Sequence, residues 1–181
     1  MSYSQGERIH LRPTSFEDLE FLQKLWNDGE VMRFVGFPQG MGIDERGMQE
    51  WFGRLEERRG RDREHWIVEA EGEPIGEAYY RATDEYCGYR ASGMAELDLK
   101  LAPEFWGRGY GSDALRTLAR WLFSQGFRVL VVSPNLQNKA ALKLYARMGF
   151  EPKHRFRAEE TEAEHEVWAL TRERLVRKEE T

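Results

Sequence analysis

The chain has 181 residues, a formal net charge of −5, and 33% charged beside 13% aromatic residues. That length fits one domain with its own apolar core, and that composition is globular rather than disordered. The negative balance argues against a nucleic-acid binder, and the single cysteine, Cys87, excludes an internal disulfide and points to a reduced, cytoplasmic setting.

The opening "MSYSQGERIHLRP" has no apolar core of the signal-peptide kind, and no run reaches membrane-spanning length. Within it "RIHLRP" reads as a short strand closed by Pro13. "TSFEDLEFLQKLWND" reads as a helix capped by Thr14 or Ser15, with Leu19, Leu22, Leu25 and Trp26 at helical spacing. "DERGMQEWFGRLEERRGRD" reads as a second helix capped by Asp44. Its mixed-charge tail, residues 54–64, is either a solvated face with i,i+4 pairs or an element on the substrate side.

"HWIVEA" and "PIGEAYYRAT" read as strands around an "EGEP" turn, and "DEYCGYRASG" as a loop holding Cys87, a bystander with no activating partner beside it. "MAELDLKLA" alternates and is a strand. "SDALRTLARWLFSQGF" is a helix ending near Gly126. "RVLVVSPN" is a strand buried on both faces, "NKAALKLYARMGF" a helix ended by Gly149, and "EPKHRFRAEETEAEHEVWAL" two closing strands. The four histidines, His10, His65, His154 and His165, lack metal-ligand spacing. This order of elements predicts a mixed α/β sheet in one domain.

The most informative stretch is "EFWGRGYGSDAL", residues 104–115, with glycines at 107, 109 and 111 just before a helix. A turn and helix entry account for one or two of them. Gly109, Gly111 and Ala114 also fit the G-x-G-x-x-A dinucleotide pattern, but that turn belongs to a first βα unit, and the next strand ends in "SPN" with no acid for a ribose. A phosphate loop ending in Lys and Ser or Thr is absent. A pyrophosphate cradle fits better. The first amides of a helix lack internal partners and carry partial positive charge, so an anion binds if the backbone lets it come close. Arg108 and the Ser112 hydroxyl add a charge and a donor.

Here the chain resembles the GNAT superfamily of acyl-CoA N-acyltransferases. "LAPEFWGRGYGSDAL" is similar to its pyrophosphate motif through Gly109 and Gly111, with Trp106 where Gln or Arg is usual. "NLQNKAALKLYARMGF" is similar to its second motif through Asn138, Ala141, Tyr145, Gly149 and Phe150. Trp106, "RIHLRPTSFEDLEFL" and "VMRFVG" resemble the branch of Rim-type ribosomal-protein N-terminal acetyltransferases. The resemblance covers residues 8–171 and implies a single N-acetyltransferase domain over 1–181. The implied α/β fold has a mixed central sheet flanked by helices and splayed between its fourth and fifth strands. It also implies acetyl-CoA as co-substrate and an amine acceptor, a protein N-terminus or a small amine such as an aminoglycoside. No direct nucleic-acid or membrane partner is implied, and homodimerisation stays open. A non-catalytic acyl-CoA-binding module and a nucleotide-dependent oxidoreductase are the readings from other classes.

By strand alternation Glu96, Asp98 and Lys100 share one face and Leu97, Leu99 and Leu101 the other, so the charged row must line a cleft or pair off. An edge strand with one wet face is the alternative. Amines are mostly protonated at pH 7, with pKa values of about 10.4 for lysine and about 8 for an α-amine, so transfer needs a base. The resemblance makes Glu96 the first candidate and Asp98, where relatives carry glycine, the second. It makes Tyr145 the acid that protonates the leaving thiolate. It assigns the donor's contacts to residues 99–101 (Leu99, Lys100, Leu101), to Trp106, Gly107, Arg108, Gly109, Tyr110, Gly111 and Ser112, and to Asn138 and Ala141. Packing alone would also explain Tyr145, and helix capping Asn138. The acceptor pocket is expected from residues 27–60, the 80s loop and the last strands.

Overall fold

The computed structural model describes residues 4–159 and 161–180. Its strands are β1 (Ser4–Gln5), β2 (His10–Pro13), β3 (Arg63–Ala70), β4 (Glu73–Tyr86), β5 (Tyr89–Leu101), β6 (Val129–Val132), β7 (Glu151–Arg157) and β8 (Glu164–Thr171). Its helices are α1 (Leu19–Trp26), α2 (Gly29–Met32), α3 (Glu45–Arg58), α4 (Tyr110–Ser124), α5 (Lys139–Met148) and α6 (Arg172–Glu179). Three of these, β1, α2 and α6, go beyond the sequence reading. The chain divides into two compact units, one running to Tyr80 and including Asp98–Leu118, the other comprising Arg81–Leu97 and everything from Ala119 on.

In the first unit the hydrogen-bonded order is β1-β2-β3-β4-β5. Two turns set the long hairpins: Glu71 and Gly72 between β3 and β4, and Cys87 and Gly88 between β4 and β5. All four residues have positive φ, 55° and 83°, then 48° and 83°. That type I′ geometry matches the twist of paired strands. The expected loop around Cys87 is therefore corrected to a two-residue hairpin, with strands reaching right up to it.

The core of the first unit packs α1 and α3 on the sheet. Leu19, Leu22, Leu25 and Trp26 recur on one face of α1 and meet Met48 and Ile67. Ser15 and Asp18 form a capping box on a 3₁₀ turn, so the α-helix proper starts at Leu19. Asp44 caps α3 as expected, its carboxylate accepting from the Gly47 amide at 2.8 Å. Asp113, in the first turn of α4, is spent on the fold: it accepts from the amides of Glu7, Arg8 and Ile9 at 3.1, 2.7 and 3.1 Å.

In the second unit the order is β4-β5-β6-β8-β7. β5 and β6 are parallel, paired at Met94↔Val129, Ala95↔Leu130 and Glu96↔Val131, where the ladder ends while β5 runs on to Leu101. This is the expected splay, on the fifth and sixth strands once β1 is counted. β5 lies inside the sheet order, so the edge-strand alternative is excluded. Met94, Val131, Val167 and Ala169 form the core here. α6 follows β8 without a linker; of its sequence RERLVRKE only Leu175 is buried. Among the described residues no helix is long and apolar enough to cross a membrane.

Candidate active site

β5 carries its chemistry on one face, as alternation predicts from Glu96 onward. The pattern breaks just upstream, where Gly93 takes a φ of 69° and both Met94 and Ala95 are buried. Beyond that point Leu97 and Leu101 are buried, while Glu96, Asp98 and Lys100 are half-buried. The charged row pairs off. In the second unit Glu96 accepts from the Arg81 guanidinium at 2.7 Å. In the first, Lys100 Nζ lies 3.1 Å from Glu77 Oε1 and also binds the Asp98 carboxylate, whose other oxygen accepts from the Leu99 amide at 2.9 Å.

Glu77, on β4, is the hub. It is 4% exposed, and its Oε2 accepts from Trp26 Nε1 at 2.8 Å and faces His65 Nε2 at 2.9 Å. The other ring nitrogen of His65 meets the Thr14 hydroxyl at 2.7 Å. Burial opposes the Glu77 charge, but Lys100, His65 and Trp26 together outweigh it and hold the carboxyl down to about 2. The same carboxylates, with Asp98 foremost, push the buried Lys100 ammonium above its ordinary value against desolvation. Gly76 makes this approach possible: a Cβ there would stand 2.2 Å from the Lys100 carbonyl oxygen. The sequence reading passed over Glu77 and His65, since neither belongs to a motif.

Asp98, Lys100, Glu77 and His65 open onto a cavity of about 530 Å³. Its apolar wall includes Trp26, Trp51, Met32 and Met41, and the Trp51 ring stands edge-on to Trp26 (4.8 Å) and His65 (4.9 Å). Its charged wall includes Arg54, Arg58 and Arg63. Six of its lining residues, Met32, Met41, Trp51, Arg54, Leu55 and Arg58, come from residues 27–60. No residue of the 80s hairpin or of the closing strands appears among its described lining residues. Glu96 is not among them either; of the two candidate bases, Asp98 lies on the cavity.

Directly after β5 comes the glycine stretch. Trp106 donates from Nε1 to the Leu101 carbonyl at 2.7 Å and is 42% exposed. Gly107 and Gly109 take φ of 71° and 87°, the left-handed region that favours glycine. A Cβ on Gly107 would meet nothing within 4 Å, so its conformation and the open space beside it, rather than crowding within the chain, call for glycine. Gly111 and Ser112 already belong to α4. Arg8, which the sequence reading did not single out, donates to the Arg108 carbonyl at 2.5 Å and stacks 4.4 Å over the Tyr110 ring. The loop thus presents open backbone at a helix N-terminus with two guanidinium groups beside it, which fits the pyrophosphate of a CoA thioester.

The remaining predicted residues lie in the second unit, on α5. Asn138 caps that helix, its Oδ1 accepting from the Ala141 amide at 3.1 Å. Tyr145 is half-buried, with its ring 5.4 Å from Phe150, and Gly149 ends the helix at φ 94°.

Comparison with known proteins places this arrangement. The family model described as an acetyltransferase (GNAT) domain matches residues 8–151. The chain is 25% identical over 147 residues to an uncharacterised N-acetyltransferase, p20, of Bacillus licheniformis, covering 80% of each chain. Its fold is similar to that of a spermidine N-acetyltransferase from Vibrio cholerae in complex with CoA and spermine. There the TM-score is 0.78 at 17% identity, over 93% of this chain and 98% of that one. It is similar also to Mycobacterium smegmatis RimJ in complex with a CoA-disulfide, with TM-score 0.80 at 17% identity, over 96% and 89%. With the family model covering most of its length, the chain belongs to the GNAT acetyltransferase family and is an acetyl-CoA-dependent N-acetyltransferase.

Proposed function

We propose that this enzyme acetylates the N-terminal α-amine of a polypeptide, as the Rim-type branch does, within one N-acetyltransferase domain in the cytoplasm. The observation that carries this reading is an exposed apolar stretch, one residue of which lines the cavity. Val35, Phe37 and Met41 are large apolar residues left exposed (46%, 41% and 38%) on the stretch after α2, and Met41 itself lines the cavity. Exposed apolar residues of this kind suit a chain that lies across them. The Trp106 of the glycine stretch and the opening segment, similar to the Rim-type pattern, support it.

In this reading the neutral amine attacks the thioester carbonyl. The N–C bond forms, the C–S bond breaks, and the CoA thiolate leaves and is protonated. Asp98 takes the amine proton, directly or through water, since it is the candidate carboxylate on the cavity wall. Lys100 and the buried Glu77 hold it in place. Glu96, tied to Arg81, is a positioning residue of β5. Tyr145 protonates the thiolate, and the backbone of residues 99–101 holds the pantetheine arm as an added strand would. The pyrophosphate sits on residues 107–112, beside Arg108 and Arg8.

The test is acetyl-CoA consumption against peptides with varied N-termini, polyamines and aminoglycosides, with the acetyl group located by mass spectrometry. Acetylation of the peptide α-amine is expected. Acetylation confined to polyamines or aminoglycosides would refute the acceptor, and stabilisation by NADH without any response to acetyl-CoA would refute the donor.

A further inference from the structure

We infer that the accepted amine carries an anionic group close to it, and that Arg54 recognises that group; this rests on the reading of the cavity as the acceptor seat. The cavity wall bears four cations, Arg54, Arg58, Arg63 and Lys100, against two carboxylates, Glu77 and Asp98. Both carboxylates are bound to Lys100, and the second oxygen of Glu77 is taken by Trp26 and His65. Glu77 has no oxygen left for a further ammonium group, and the charge of Asp98, the proposed base, is offset by Lys100.

The cations differ. Lys100 is occupied by its two carboxylates. Arg58 and Arg63 share Asp62, at 2.7 and 3.2 Å, and hold its carboxyl down to about 2, Arg63 contributing most. Arg54 is exposed and makes no ion pair among the described residues. Trp51, Arg54, Leu55 and Arg58 follow the i, i+3, i+4, i+7 spacing of one face of α3, so an aromatic floor and a cationic rim come from the same helix.

A polyamine entering here would bring several protonated nitrogens against a surplus of positive charge, and both wall carboxylates are already paired with Lys100. An amine with a nearby carboxylate would gain a charge-assisted contact to a guanidinium, the group best shaped for two parallel hydrogen bonds to it. The surrounding cations also favour the neutral, nucleophilic form of the acceptor amine over its ammonium form. For a polypeptide acceptor this means an acidic residue within the first few positions.

The experiment follows thiol release from acetyl-CoA with peptides identical except for Glu, Gln or Lys at the second and third positions, with spermidine, and with a small amine bearing a carboxylate. The Glu peptide is expected to exceed the Gln peptide in kcat/KM by about tenfold, chiefly through KM, with the Lys peptide lower still. Added salt should narrow the gap. Arg54→Glu should invert the order, Arg54→Gln compress it, and Arg54→Lys keep most of it, with circular dichroism confirming each fold. Equal or faster turnover of spermidine or the Lys peptide, or an unchanged order in Arg54→Glu, would overturn the inference. Acceptance of the small acidic amine with refusal of every peptide would remove the N-terminal reading and leave the anion preference standing. Peptide turnover indifferent to charge would do the reverse. If nothing turns over, thermal stabilisation of the wild type is compared, and failure of the Glu peptide to stabilise more than the Lys peptide overturns the inference.

Discussion

Lys100 shows how a residue whose face is set by alternation finds its partners only in the fold. On a strand it looks like one member of a charged row; in the fold it bridges the buried Glu77 and the cavity-facing Asp98. Removing one partner of such a pair leaves a charge without its counterpart in a poorly hydrated place, a cost of about 3 kcal/mol or more. Glu77→Gln should therefore lower unfolding stability by roughly that amount, read by urea denaturation at neutral pH. The sign of the pH effect follows from the depressed Glu77 carboxyl. Its contribution is complete above its ordinary value of 4.5 and is lost as pH falls from there towards about 2. The wild type should lose stability across that window, and Glu77→Gln should lose less. For the reaction, Asp98→Asn should cut turnover about a hundredfold and Tyr145→Phe by a similar factor, each with acetyl-CoA affinity nearly kept. A Tyr145→Phe enzyme with full turnover would remove that hydroxyl from the chemistry.

At the scale of elements, what the sequence made legible was whatever local rules encode. The helices α1, α3, α4 and α5 follow from spacing and caps, β5 from alternation, and the splay from the family pattern. The short strand β1 and the helices α2 and α6 escaped. β1 has two residues and α2 four, while α6 is charged almost throughout, buries a single leucine and starts without a break after β8. The glycine stretch was legible because backbone conformation is a local property: Gly107 and Gly109 do adopt positive φ. Gly107→Ala should cost about 1–2 kcal/mol in stability through its backbone alone and weaken acetyl-CoA binding as well. Isothermal titration beside a melting curve separates the two effects, and unchanged affinity would refute the cradle. Gly76→Ala is the sharper test of the sheet, because a Cβ at 2.2 Å from the Lys100 carbonyl forces β4 and β5 apart. A loss of about 2 kcal/mol or more is expected from such overpacking. The cavity was not legible. Glu77, His65, Trp51 and Arg54 stand on three different elements and meet only in the fold, so no spacing in the sequence announces them.

For the molecule as a whole, the charge balance carries a lesson about averages. A net charge of −5 fits a cationic acceptor slightly better than an anionic one. The proposed acceptor cavity points the other way, with four cations on its wall and both its carboxylates paired with Lys100. Substrate choice follows the local field rather than the total. The family fixes the donor and the transfer; the acceptor is a matter of this chain's own wall residues, and a spermidine acetyltransferase can share the fold without sharing the preference. The most direct measurement is thiol release from acetyl-CoA with one peptide offered in two forms, free and blocked at its N-terminus. Steady release is expected with the free peptide, with one acetyl group on its α-amine, and none with the blocked form. Equal release with both forms, or acetyl found on a lysine side chain, would contradict the N-terminal reading.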